Sequence, residues 1–442
     1  MDTANFCPQT TQGALDRAVA IGPDIDAIVA PDGRLTYAEL ARDVERVRAA
    51  LVATGVRRGD HVGLCLGNSA RWITLFLAIG SIGAVTVPVN TRFRGEEIAY
   101  VLRQAKIRTL FLADKLLSVD FVDIFNAICP GISSQLPDPA FPLLERIVMT
   151  GTETPAGAIA WDDFLASGTQ PVAADCRADD VLLMQYTSGT TSFPKGALLP
   201  HSNMLTNAYV VGTRVGLRTA DRYHSARPFF HVAGTTLSIL CSLQHVCTLV
   251  TMERFEAGEA LRLLEEERCT HFSGNDTMVL MLLNHEDVKT RKLSLRGGWA
   301  AATPTVMKRF MHELGAREAV TTYGMSETSP NISVSCWWEP EDIRARSLMR
   351  LQPGIEVRIR DLETGADCPP GKPGEIVVRG WNVMRGYFDK PEETAAVLDA
   401  EGWMSTGDIG KLDENRRLEF VGRAKEILRV GGENVSPVEV ED

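Results

Sequence analysis

Two kinds of apolar pattern alternate through most of this chain, and that alternation restricts the fold more than any other feature. The segment YAELARDVERVRAALVATG (37–55) places apolar residues at helical spacing and ends on glycine, whereas HVGLCLG (61–67) is a short continuous run suited to a buried strand. WITLFLAIGSIGAVTVPV (72–89) is nearly long enough to cross a bilayer. Gly80, Ser81 and Gly83 interrupt it, and its second half is β-branched, so it reads as a helix ending near Gly80 and a buried strand from about 84 to 87. TLFLAD (109–114) adds another strand. Repeated βα units predict a parallel sheet covered by helices on both faces.

Residues 130–160 are rich in Pro, Gly and Ser and are expected to form a surface excursion. A second βα series then runs through VLLMQYT (181–187), VCTLVT (246–251) and AVTTYG (319–324). From about Pro353 the texture changes: EVRIRD and EIVVRG flank TGADCPPGKPG, and RLEFVG follows, which predicts a small β-rich, barrel-like subdomain. The expected class is α/β, with two doubly wound βα subdomains at 1–175 and 176–352, the β-rich subdomain at 353–424, and a short remainder at 425–442.

A formal net charge of -11 over 442 residues argues against broad binding to nucleic acid or anionic membranes, both of which need positive surface. The nine cysteines are scattered without a CxxC pair, which indicates neither a zinc cluster nor a disulfide framework. MDTANFCPQT lacks the layout of a signal peptide, so a reducing, cytoplasmic setting and no transmembrane segment are expected. A homodimer is left open.

TSGTTSFPKGA (187–197) concentrates hydroxyls, glycines and one lysine after a predicted strand, ahead of a helix expected from Ser202. Thr187, Ser188, Gly189, Thr190, Thr191 and Lys195 can present hydroxyls, backbone N–H groups and an ammonium to one anion, which is the logic of a phosphate-binding loop. It is not a Walker motif, because Gly196 follows the lysine.

YTSGTTSFPKGALLPH (186–201) resembles the nucleotide phosphate loop of the adenylate-forming superfamily, with Ser192 where that family usually has glycine. TTYGMSET (321–328), STGDIG (405–410) and GRAKEILRVGGENVSPVEVE (422–441) resemble three further signatures in the same order. The resemblance implies ATP, Mg2+ and coenzyme A as co-substrates and ligands. It assigns Glu327 to the magnesium ion, Thr328 to the α-phosphate and Tyr323 to the adenine ring, and it assigns Asp408 and Arg423 to the ribose. PFFHVAG (228–234) resembles the segment at the mouth of the acyl pocket, where His231 would gate the pocket or meet the substrate carboxylate. GGWAAATP (297–304) resembles the stretch bordering adenine and the acyl group, and Met278, Met281 and Leu282 are candidates for the pocket lining.

Lys425 matches the hinge about which the family's C-terminal lid domain turns. By resemblance almost all of that domain would follow Asp442, including a lysine used in adenylation, so slow turnover is expected. The motif variants resemble fatty-acyl or aryl-acid CoA ligases more than amino-acid adenylation domains, since the PFFHVAG segment, where that resemblance places a carboxylate for the substrate ammonium, holds no acidic residue. The expected activity is ATP-dependent ligation of a small carboxylic acid to CoA, first a medium- or long-chain fatty acid and second an aryl acid. The alternatives are a nucleotide- or adenylate-binding core with little turnover and a luciferase-like oxygenase.

Overall fold

The computed structural model describes residues 7–187 and 194–423, together with the strands Leu428–Val430 and Glu433–Val435. Three large sheets organise it.

The first sheet runs, in spatial order, Lys195–Pro200, Val181–Thr187, Val85–Pro88, His61–Cys65, Thr109–Leu112, Arg146–Met149 and Ile159–Ala160. All neighbours are parallel except the first pair, an antiparallel hairpin. The second sheet runs Gly297–Ala301, His271–Asn275, Arg222–Ser225, Thr248–Val250, Asp26–Ala30 and Gly33–Thr36, parallel apart from the last pair. The third is wholly antiparallel: Thr322–Gly324, Asn331–Val334, Met349–Leu351, Arg417–Arg423, Met404–Leu412, Gly374–Gly380 and Ile355–Arg360.

The α/β class holds, but sheet membership departs from chain order. Strands at 26–36 join the second sheet, and strands at 181–200 complete the first, so the expected boundary at 175/176 is not a change of sheet. The third sheet begins at Thr322 rather than near 353, because the TTYG segment pairs antiparallel with Asn331–Val334 instead of continuing the parallel series. Residues 130–160 are not only a surface excursion: Arg146–Met149 is a parallel strand beside Thr109–Leu112, with Ile147, Val148 and Met149 buried.

Local chemistry places the helices as the capping rules require. Thr36 and Glu39 close a reciprocal capping box at the start of Tyr37–Ala53. Ser69 accepts the Trp72 N–H and opens Ala70–Ser81, in which every residue except Arg71 is buried. A helix buried on nearly every side is a core element, and among the described residues no helix is long and apolar enough to cross a membrane. Its Trp72 ring packs 5.4 Å from that of Phe229 and 5.3 Å from that of Phe76. Burying Phe229 there stabilises by about 2 kcal/mol and ties the PFFHVAG loop to the core. All nine cysteines are free thiols.

Candidate functional site

A cleft of about 670 Å³ opens where the three sheets meet, over the ends of Val181–Thr187 and Gly297–Ala301. In open α/β sheets the crevice beyond the carboxyl ends of the strands is the usual ligand site. Thr187, Lys195, His231, Glu327 and Arg423, all singled out from the sequence, line this one cavity.

The hydroxyl-rich run follows a different local plan from the expected strand–loop–helix. Thr187 ends one strand and Lys195 begins the next, and the two are paired across the hairpin. The helix then starts at His201. The chain therefore returns on itself, and Lys195 is held by strand pairing beside the site. Its Nζ lies 4.5 Å from the centre of the Tyr387 ring, a cation–π contact. Ser188, Gly189, Thr190, Thr191 and Ser192 lie outside the described residues, as does Lys425.

Glu327 sits in a short turn, Ser326–Thr328, that Gly324 allows to close: a Cβ there would stand 2.0 Å from the Pro330 carbonyl oxygen. The Tyr387 hydroxyl donates to Glu327 Oε1 at 2.8 Å, and the Met384 N–H donates to the Glu327 carbonyl at 2.8 Å. Burial and then the neighbouring carboxylate raise the Tyr387 pKa, so the phenol stays a donor. Tyr387 thus joins Lys195 to Glu327, although no motif singled it out from the sequence.

Thr328, expected at the α-phosphate, is fully buried, with its hydroxyl engaged by the carbonyls of Pro330 and Met325. Tyr323, expected against adenine, is not in the cleft wall. Thr322 and Gly324 line the cavity, and strand alternation turns Tyr323 to the other face. There its ring stacks on Phe420 at 5.2 Å and its hydroxyl donates to Asp408 Oδ2 at 2.9 Å. Burial, followed by the Asp408 charge, raises the Tyr323 pKa.

Asp408 and Arg423 are cross-strand partners, with Arg423 Nε 3.6 Å from Asp408 Oδ1. The carboxylate is 6% exposed while the guanidinium is largely in solvent, so this pair stands at the rim with Arg423 outermost. Such a half-exposed ion pair contributes little stability and is easily rearranged.

His231 precedes the short helix Val232–Gly234, and its Nδ1 accepts the Ala233 N–H at 3.2 Å. That bond leaves the neutral ring's proton on Nε2. The side chain is open to the cleft yet surrounded by protein, and this enclosure, then the nearby Arg227, lowers its pKa to about 4. Of the two phenylalanines before it, Phe229 is in the core and Phe230 lines the cleft.

Behind His231 the wall is made by Arg227, Leu237 and Trp299. The Arg227 guanidinium carbon lies 4.2 Å from the Trp299 ring centre, and Trp299 Nε1 donates to the Tyr223 hydroxyl at 2.7 Å. Neither Arg227 nor Trp299 was singled out from the sequence; what marks them is burial beside a cavity, which a linear pattern does not display. Met278, Met281 and Leu282 do not line this cleft: Leu282 is in the core and Met281 is 45% exposed. A separate cavity of about 220 Å³ beside Asp32, Arg71 and Trp161 collects none of the expected residues, and Asp32 there already accepts the N–H groups of Ala70 and Arg71.

The family profile described as AMP-binding enzyme matches residues 15–388. The chain belongs to this family. Within it, the chain is 32% identical over 456 residues to YngI of Bacillus subtilis, covering 99% of this chain and 83% of that protein. It is 32% identical over 460 residues to the mitochondrial medium-chain acyl-CoA ligase ACSF2 of Danio rerio, covering 98% of this chain and 74% of the relative. The crystal structure of the anthranilate CoA ligase AuaEII in complex with anthranoyl-AMP superposes with a TM-score of 0.88 at 26% identity, covering 100% of this chain and 83% of that one. The AMP-binding family and these relatives make the chain an acid–CoA ligase of the adenylate-forming superfamily, in its acyl-CoA synthetase branch.

Proposed function

We propose that this cleft activates a medium-chain carboxylic acid with ATP and passes the acyl group to coenzyme A. The observation that carries the reading is the convergence of Thr187, Lys195, His231, Glu327 and Arg423, distant in sequence, on one cavity. In the first step an oxygen of the acid's carboxylate bonds to the α-phosphorus of ATP, and the bond from that phosphorus to the departing pyrophosphate breaks. In the second, the CoA sulfur, having lost its proton, attacks the acyl carbonyl and AMP leaves.

Positioning and electrostatics supply most of such a rate. Lys195, held against Tyr387, meets the β- and γ-phosphates. Neutral His231 offers its Nε2–H to the acid's carboxylate. Arg423 turns from Asp408 to the ribose, and the carboxylate accepts the ribose hydroxyls while Tyr323 still holds Oδ2.

Among the described residues no group of three metal-ligating side chains occurs, so magnesium would rely on Glu327 and the substrate phosphates. That donor set fits the ion, which commonly takes one or two carboxylates with phosphate oxygens; Tyr387 holds Oε1, and Glu327 lines the cleft. When bound, the ion would neutralise charge on the leaving pyrophosphate.

The name of the ACSF2 relatives supports a medium-chain acid, and the apolar wall of Phe230, Val232 and Leu237 supports an apolar stem. An aryl acid is the second reading, favoured by the aromatic pair Phe230 and Trp299 and by the likeness to the anthranilate CoA ligase. The free cysteines favour a reducing compartment, whereas the ACSF2 relatives are mitochondrial.

The test is mass spectrometry of the chain with Mg-ATP, CoA and acids from octanoate to palmitate plus benzoates, reading acyl-AMP and acyl-CoA separately, with calorimetric binding of each acid in parallel. Adenylate from, or binding of, the shorter alkanoates is expected. Neither adenylate nor binding with any acid would overturn the assignment.

A further inference from the structure

The cleft's far wall holds a positive charge that the nucleotide reading leaves without a task. Arg227 Nε donates to Ser273 Oγ at 3.1 Å and Nη2 donates to the Gly274 carbonyl, while Nη1 has no hydrogen bond to any described residue. No carboxylate among the described residues forms an ion pair with it. Burial lowers its pKa to about 10, so it remains a cation at neutral pH. An enclosed cation without a counter-charge is costly, and the Trp299 ring offsets only part of that cost.

The arginine is also fixed in place. Asn68 Nδ2 donates to its carbonyl at 3.0 Å, and Asn68 Oδ1 accepts the Phe229 N–H at 2.8 Å, which clamps the loop around it. Beneath it, Gly298 has φ +140 and a Cβ there would stand 2.0 Å from the Phe272 carbonyl oxygen, so the backbone under Trp299 cannot shift to accommodate a larger residue.

Position separates this charge from the reacting carboxylate. Trp299 and Ala301 both line the cleft from one face of Gly297–Ala301, and Trp299 lies two residues, roughly 7 Å, further back along the strand. Arg227 packs on that deeper ring and bonds to Ser273 and Gly274 within the neighbouring strand His271–Asn275.

Resting on the acid–CoA ligase reading, we infer that the preferred acid carries a second negative group at its far end, bound by Arg227 over Trp299. The substrate class is then a dicarboxylic acid, with an apolar stem passing Phe230 and Leu237.

The experiment compares chain-matched pairs from four to ten carbons, octanoate against octanedioate among them. It measures calorimetric affinity in the presence of a non-hydrolysable ATP analogue and magnesium, and acyl-AMP by mass spectrometry. For one chain length the wild type is expected to prefer the dicarboxylate by ~10-fold or more, the scale of a charge-assisted hydrogen bond in an enclosed site. Arg227→Met should bring that ratio to about one, and Arg227→Lys should leave an intermediate ratio. Equal or better binding of the monocarboxylates by the wild type at every length overturns the inference while leaving the ligase reading intact. A dicarboxylate preference that survives in Arg227→Met also overturns it. Failure of every acid to bind or react overturns both.

Discussion

The two ends of the cleft treat charge in opposite ways. At the phosphate end, Lys195, Tyr387 and Glu327 form a connected set in which a cation, a phenol and a carboxylate stabilise one another before any ligand arrives. At the acyl end, Arg227 has, among the described residues, only neutral partners, a hydroxyl, a carbonyl and an indole face. On the proposed function, the first end is preorganised for a ligand that brings its own counter-ion, as a nucleotide triphosphate does. The second is incomplete until an anion supplies what the protein does not.

The strongest test of this contrast is Glu327→Gln. It keeps the Tyr387 hydrogen bond but removes the charge, and acyl-AMP formation, followed by pyrophosphate release, should fall ~10²–10³-fold; a loss under threefold would break the account of the phosphate end.

Acidification should separate the ends next. His224 and His271 are buried in the sheet that carries the acyl wall, and burial lowers their pKa values to about 4 and about 3. A neutral buried histidine takes up a proton more readily when unfolded, with the ordinary value of 6.5. Stability is therefore complete above pH 6.5 and is lost as pH falls toward 4, by about 1–2 kcal/mol per histidine at pH 5. Hydrogen exchange at pH 5 should rise more in Arg222–Ser225 and His271–Asn275, which carry two such histidines, than in Val181–Thr187, beside which buried His201 has its pKa lowered to about 4; uniform exchange would show that the two ends share one unit of stability.

Tyr387→Phe removes one hydrogen bond to Glu327 and keeps the ring under Lys195. A loss of about tenfold in adenylation with unchanged acid selectivity is expected. Trp299→Phe is the mildest change: it retains an aromatic face for Arg227 but loses the donor to Tyr223. A few-fold drop in dicarboxylate preference, with ATP affinity unaltered, would agree with a cation–π contribution of ~0.5–1 kcal/mol.

Much of the architecture was legible because strands such as HVGLC and TLFL are continuously apolar and sit between helices with clear caps. Others were hidden by their polarity. Arg222–Ser225 and His271–Asn275 are central strands, yet RYHS and HFSGN do not read as core. Part of this polarity finds partners, as Ser225 does with Ser238 at 2.8 Å, while both ring nitrogens of His224 have none among the described residues. The same distinction governs the site. Lys195, His231 and Glu327 stood out through their motifs, whereas Tyr387, Arg227 and Trp299 acquire meaning only when distant segments meet. Tyr323 shows the reverse case, a motif residue that strand alternation turns away from the cleft.

The exchange of strands between the two parallel sheets has a consequence for how the chain is made. The hairpin at 26–36 leaves the ribosome early, but its parallel neighbour Thr248–Val250 is synthesised more than two hundred residues later. Likewise Val85–Pro88 waits for Val181–Thr187. Long-range pairing of this kind is slow and leaves sheet edges uncovered in the interim. Neither parallel sheet can therefore be completed from one continuous stretch of nascent chain, and a nick between residues 175 and 176 would leave two fragments that each lack strands held by the other.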